Sequence, residues 1–171
     1  PYDILAPGLA MKQYPCCAST HPAIDATVAL VRRHGLNPGN VAQIKSWTHK
    51  RRLNHTNRPD PLTSLDAKFS VQYCVSRALM HGAVKLEHFQ GDAHKDATLR
   101  SVLPKVKADI YTDAQFPPDN HYGAEVEITT TDGKVYREKV DQPHGRTTKN
   151  PLSREMMKAK FEDCASRVMA P

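Results

Sequence analysis

The sequence predicts an α+β domain in two layers, with helices packed on one face of a mostly antiparallel sheet of about four strands. Three observations lead there. The stretch from Ser64 to about Met80 is apolar nearly all round a helix, through Leu65, Phe69, Val71, Cys74, Val75, Ala78 and Leu79, and a helix of that kind is central and buried. Two segments on either side of Thr131-Asp132-Gly133 alternate with period two, and Asp-Gly is a strong hairpin turn signal. The chain has 171 residues, 39% of them hydrophobic, which suits one domain or at most two small ones with a real core.

The elements follow in order. Pro1, Pro7, Gly8 and Pro15 mark the first twenty residues as an irregular lead-in. A helix starts at Pro22, capped by Ser19 or Thr20, and carries Ala23, Ile24, Ala26, Thr27, Leu30 and Val31 on its apolar face until Gly35 ends it. Val41 to Thr48 alternates imperfectly as a strand, and the basic stretch after it runs into turns at Asn57, Pro59 and Pro61. The central helix begins at a Thr63 or Ser64 cap and runs as one piece to about Met80, before Gly82. A short helix covers about Ala97 to Leu103. Strands are expected at Lys107–Thr112, Gly123–Thr130 and Lys134–Val140. In the second of these Ala124, Val126 and Ile128 face one way, and Glu125, Glu127 and Thr129 the other. A last helix from about Leu152 to Met169 places Met157, Phe161, Cys164, Ala165 and Val168 on one face, predicted to be buried.

Charge and cysteine content narrow the function classes. The formal charge of +6 makes the surface attractive to anions, whether nucleic acid or a small polycarboxylate. Cys16 and Cys17 are adjacent, Cys74 and Cys164 lie in apolar helical stretches, and no CxxC pair exists. Buried thiols in a reducing compartment are expected, with no metal site. With neither a signal peptide nor an apolar run long enough for a membrane span, the expected location is the cytoplasm. The start at Pro1, without Met, predicts a processed or truncated product.

Three constellations could carry chemistry. The loop from Lys12 to Pro22 feeds a helix N-terminus, where free backbone N–H groups favour an anion. Ser19 and Thr20 add hydroxyl donors, Lys12 adds a positive charge, and His21 can exchange a proton near neutral pH. The competing reading is that Ser19 and Thr20 only cap the helix. On the central helix Ser70, Tyr73 and Arg77 share one face, with Asp66 a turn earlier. Arg77 could hold a carboxylate and Tyr73 a substrate oxygen or a proton, unless these groups serve structure alone. The run Lys45 to Arg58 holds Lys45, His49, Lys50, Arg51, Arg52, His55 and Arg58 beside Trp47. No nucleic-acid motif accompanies it, which points to a solvated face or a funnel for an anionic substrate.

The run from Lys12 to Ala26, containing Tyr14-Pro15-Cys16-Cys17 and Thr20-His21-Pro22-Ala23-Ile24-Asp25, resembles the MmgE/PrpD proteins. So do Leu62 to Tyr73, Gly82-Ala83-Val84, Leu86 to Phe89, Ala124 to Ile128 with its Asp-Gly turn, and Gly145 through Asn150-Pro151-Leu152-Ser153 to Lys160-Phe161. The likeness runs almost end to end in the same order. It implies an active-site loop and linker at residues 1–20 and a C-terminal lid domain at 21–171. This lid would belong to a lyase or isomerase that acts on small polycarboxylates such as 2-methylcitrate or cis-aconitate without a cofactor. The resemblance further implies a missing N-terminal helical domain, without which the chain is inactive, and a homodimer or other homo-oligomer in the full-length form. It places the family's lid-side lysine at Lys12, its histidine at His21 with Cys17 as the alternative register, and its lid tyrosine at Tyr73. The catalytic set is then His21, Tyr73 and Lys12, with Ser19, Thr20, Ser70 and Arg77 holding substrate. The implied partners exclude nucleic acid and membrane. Two other classes are carried: a basic nucleic-acid-binding module, and a stand-alone structural domain that dimerises.

Overall fold

A computed structural model describes Tyr2 and residues 8–169. The element order is α1 (His21–His34), β1 (Val41–Thr48), α2 (Lys50–Thr56), α3 (Ser64–Lys68), α4 (Val71–His81), α5 (Ala97–Val102), β2 (Val106–Ile110), β3 (Ala124–Thr130), β4 (Val135–Val140) and α6 (Arg154–Ala165), with short 3₁₀ turns between them. The fold class is the α+β arrangement expected. Four strands form one sheet in the order β2-β1-β3-β4, with β1 and β2 parallel and the other two pairs antiparallel. The hairpin turns at Asp132-Gly133, and a bulge between Val41 and Gln43 restores alternation along β1.

Helices α1 and α4 cover one face of the sheet, α1 over β3 and β4 and α4 against β2. Ala23, Ala26 and Leu30 of α1 meet Val71, Val75 and Leu79 of α4 above Val41, Ile44, Val126 and Ile128. Those α4 residues recur every fourth position, so they form one stripe. The opposite side of α4 is buried as well. Tyr73, Cys74 and Ala78 pack with Tyr14, Cys16, Ile24, Phe89 and Leu99 in a second cluster. An apolar surface all round the helix is thus used twice, once against the sheet and once against the segments that connect the helices.

On the other face of the sheet a cross-strand row of charges holds the register. Lys45 lies opposite Glu127, and Glu127 opposite Arg137. Glu127 is buried between both cations: Arg137 Nε donates to it at 2.6 Å, and Lys45 Nζ forms an ion pair with it at 3.7 Å. The β2–β3 connection folds over this face, with Phe116 buried beneath Lys139.

Three expectations are corrected. The central helix is two helices, broken at Phe69-Ser70. Ser70 leaves helical conformation and its Oγ accepts from Tyr73 N, so α4 begins with a side-chain cap of its own. The basic stretch after β1 is helical (α2), because His49 caps it by accepting from Arg51 N and its Leu53 and Thr56 turn inward. Last, α6 has no buried residue among those described. Phe161 is 68% exposed and Met157 and Val168 also face outward, so the apolar spacing was real but no layer among the described residues lies on it. Cys164 is exposed with it, whereas Cys16 and Cys74 are buried free thiols and Cys17 is half-buried. No helix among the described residues is long and apolar enough to cross a membrane.

Two predictions follow from this packing. Leu79→Ala deletes a side chain wedged between helix and sheet and should lower stability by about 2–5 kcal/mol in urea unfolding. His88 is buried, and its Nδ1 accepts from Lys85 N at 3.1 Å, a bond only the neutral ring can make. Burial first, then His81, Arg77 and Lys85, pull its pKa down to about 4 from 6.5. The unfolded chain therefore binds more protons than the folded one between those values. Stability should fall as pH drops from about 6.5 to about 4, and His88→Asn should flatten that part of the profile.

Candidate functional site

Two loops meet at the start of α1. Residues 10–19 approach it from the lead-in, and residues 143–146 return from β4. Their junction is fixed by backbone. Met11 N donates to Gly145 O at 2.8 Å, and Gly145 N donates to Asn150 O at 2.7 Å. Gly145 has φ +75, and a Cβ there would sit 2.2 Å from Met11 O, so no other residue fits this crossing without moving the loops. Asp25 of α1 ties both loops to the helix. It accepts from Tyr14 Oη at 2.6 Å and from His144 N at 3.2 Å. Burial raises the Asp25 carboxyl above its ordinary value, against the pull of the Tyr14 bond.

Between these loops lies a depression of about 100 Å³ lined by Lys12, Ala18, His21, His144 and Arg146 among others. A smaller one adjoins it across Ala18, Pro143 and Arg146, and adds Ser19, Arg52 and Tyr122. No carboxylate lines either. Two wider grooves elsewhere, of about 430 and 490 Å³, carry both signs of charge: Asp25 and Asp163 with Arg32 and Lys160 in one, Asp60 with Arg100 in the other. Of these four openings among the described residues, the pair at α1 is basic without an acid of its own. His49, whose Nε2 lies 3.0 Å from His121 Nδ1, is held below the usual histidine value by burial and then by His121, Arg51 and Arg52.

The structure brings Lys12, Ser19 and His21 of the sequence candidates to this opening. Lys12 is exposed. Ser19 Oγ lies 3.1 Å from His55 Nε2. His21 is 2% exposed, its ring stands edge-on to Tyr14, and its Nε2 has no hydrogen-bond partner among the described residues. Thr20 is near but turned inward. Its Oγ1 donates to Cys17 O at 2.9 Å and lies 3.3 Å from Cys16 Sγ, and it makes no side-chain cap for α1.

Ser70, Tyr73 and Arg77 are not brought there. They do share a face of α4, but that face points into the second core cluster, and each polar atom is spent inside it. Ser70 Oγ donates to Arg58 O at 2.6 Å. Tyr73, at 0% exposure, donates to His88 O and accepts from Arg77 Nε at 3.2 Å. Arg77 also donates to Asp96 at 3.1 Å and to Ala93 O. The alignment on one helix face was legible in the sequence, whereas the layer covering that face was not. Conversely, Tyr122 and Arg146 belong to the opening but sit in loops with no periodic pattern. Arg52 and His55 were visible only as members of a basic run. Among the described residues, no three His, Cys, Asp or Glu side chains converge as metal ligands.

Comparison with known proteins agrees with the fold. The family model described as MmgE/PrpD C-terminal domain matches residues 14–171. Cis-aconitate decarboxylase of Mus musculus is 30% identical over 173 residues, covering 94% of this chain and 33% of the mouse protein. Cis-aconitate decarboxylase of Homo sapiens is 29% identical over 168 residues, covering 95% of this chain and 34% of the human protein. The chain thus spans about a third of the length of these relatives.

Tyr73→Phe should leave His88 O without its donor in the interior and lower stability by about 1–3 kcal/mol in urea unfolding, an outcome a solvent-facing hydroxyl would not give.

Proposed function

The chain belongs to the MmgE/PrpD family, as its C-terminal domain, and from that membership we propose that it supplies one wall of a site for lyase or isomerase chemistry on a small polycarboxylate. The observation that carries this reading is the basic opening at the start of α1, where Lys12, Arg52, Arg146 and His21 gather with no carboxylate among the lining residues. A polyacid is the ligand such a surface attracts. Sites that enclose a small molecule usually measure roughly 300–1,000 Å³. A depression of about 100 Å³ holds one end of such a ligand and needs an opposite wall. The part of the family protein beyond the matched third is the proposed source of that wall, so this chain alone is proposed to be inactive.

The chemistry proposed is proton abstraction next to a carboxylate, without a cofactor. Negative charge then spreads onto that carboxylate as an enediolate-like species. Lys12 stabilises it through space, and its exposed ammonium can be covered when the second wall closes. His21 has a ring nitrogen free of protein partners and serves as the proton carrier. In a decarboxylase the same enediolate-like charge arises instead from loss of CO₂, whose bonding electrons pass through a neighbouring double bond to the carboxylate, and a proton from His21 quenches it; after proton abstraction, loss of water or reprotonation on the other face gives a dehydratase or an epimerase. The relatives named cis-aconitate decarboxylase favour the first. Tyr73, Ser70 and Arg77 support the wall from behind, through the packing of α4. The complete enzyme is proposed to be a homo-oligomer of the cytoplasm.

The test mixes the purified chain with the remaining part of a family protein and follows cis-aconitate and 2-methylcitrate by proton NMR. No turnover is expected from the chain alone and measurable turnover from the pair. Lys12→Ala and His21→Ala should each lower kcat by about 100-fold or more. Full activity of the isolated chain would end the claim of a shared site, and an unchanged rate after His21→Ala would remove its role.

A further inference from the structure

Arg52 and Arg146 come from distant parts of the chain, one on α2 and one on the loop after β4, yet both guanidinium groups stand over a single ring. Arg52 Cζ lies 4.9 Å and Arg146 Cζ 4.3 Å from the centroid of Tyr122. All three residues are half-buried. Two like charges sharing one phenol repel each other, and cation–π attraction offsets only part of that. Proteins ordinarily relieve such repulsion with a carboxylate. Here neither arginine forms an ion pair among the described residues, and unlike Arg32, Arg51 and Arg154, which are also unpaired, these two meet over one ring.

The donors tell the same story. Arg52 uses only Nε, which donates to His121 O at 3.1 Å, and this bond fixes the plane of the group. Beyond the Tyr122 phenol, which both groups approach, the terminal amino groups of Arg52 and Arg146 have no protein acceptor among the described residues. The charges act on that phenol, whose pKa is lowered first by Arg146 and then by Arg52. Forked donors of this kind match the two oxygens of a carboxylate. Ser19 and Thr48 line the same depression, and Ser19 is the neighbour of the loop that carries Lys12 and His21.

We infer that Arg52, Tyr122 and Arg146 form a clamp for one carboxylate group of a di- or tricarboxylate, with Tyr122 as the platform that holds the two forks in register. The ligand class rests on the proposed function, whereas the place of the clamp rests on the geometry alone. A second carboxylate of the same ligand then extends across Ala18 toward Lys12 and His21. The clamp selects for acids with at least two carboxylates and fixes which end is presented to the acid/base groups.

The experiment measures binding to the intact chain, so it is independent of turnover. Tricarballylate is titrated by calorimetry and by ¹⁵N-edited NMR, with inorganic phosphate and the neutral triamide of the same acid as comparison ligands. Tricarballylate should bind and shift the Ser19, Tyr122 and Arg146 amides, phosphate should bind at least about 10-fold more weakly, and the triamide should not bind. Arg52→Gln and Arg146→Gln should each weaken tricarballylate by about 10-fold or more. Lys50→Gln and Arg51→Gln, which remove the same charge from exposed positions of α2, should change it by less than about 2-fold. Arg146→Lys keeps the charge without the fork and should lose most of the affinity, while Tyr122→Phe keeps the platform and should retain it. The clamp is overturned by equal losses in the Arg51 and Arg52 variants, by phosphate binding as tightly as tricarballylate, or by absence of binding. Each of those outcomes leaves the turnover test untouched. Conversely, clamp-dependent binding by a chain whose complemented form turns over none of the acids would retain the clamp and reject the proposed chemistry.

Discussion

From Val71 to Leu79 helix α4 has no side that faces water, and much of the rest of the domain is arranged around that constraint. A polar group on such a helix must find its partner inside the protein or destabilise the fold by the full loss of its hydration. Ser70, Tyr73 and Arg77 therefore reach for backbone oxygens and for Asp96 on the segments around them. Those bonds pin the chain at Arg58, His88 and Ala93, which otherwise have little regular structure to hold them. The stripe of Val71, Val75 and Leu79 does the complementary work on the sheet side. One helix thus joins the sheet to a second layer, and α1 packs beside it in a single orientation.

That orientation decides where the anionic chemistry can be. The first turn of α1 is a place where two loops can be tied down, and Asp25 does so through Tyr14 and His144. Gly145 lets the loops cross at backbone contact distance. Cations from the lead-in, from α2 and from the loop after β4 then converge without any acid among them. Some basic side chains elsewhere are paired locally, as in the Lys45–Glu127–Arg137 row across the sheet. At the opening, several cations from distant segments line one depression with no carboxylate beside them.

Much of the fold was legible before any coordinates. The β3–β4 hairpin shows in its alternation and its Asp-Gly turn, and α1 ends at Gly35, which has φ +63. What escaped has identifiable causes. Helix α2 buries only Leu53 and Thr56, so it leaves almost no periodic trace, and its cap is a histidine rather than a hydroxyl or carboxylate residue. The break at Ser70 hides in an uninterrupted apolar pattern, because both helices bury their faces in the same interior. The stripe on α6 shows the opposite failure. Met157 and Phe161 keep helical spacing, but periodicity reports that a face is apolar, not that this chain supplies its cover.

The candidate site divides in the same way. Lys12, Ser19 and His21 lie within one short loop, so their company was visible in the sequence. Arg52, Tyr122 and Arg146 meet only because α2, the β2–β3 connection and the loop after β4 end at one corner of the domain. By itself the sequence determined which segments are helical or extended and that the chain is basic, since turn chemistry, periodicity and net charge are local or additive properties. Only the tertiary structure decided which cations lose their charge to a partner and which keep it. Pairing depends on side chains far apart in the chain: Arg77 finds Asp96 and Lys45 finds Glu127, while Arg52 and Arg146 find only the ring between them.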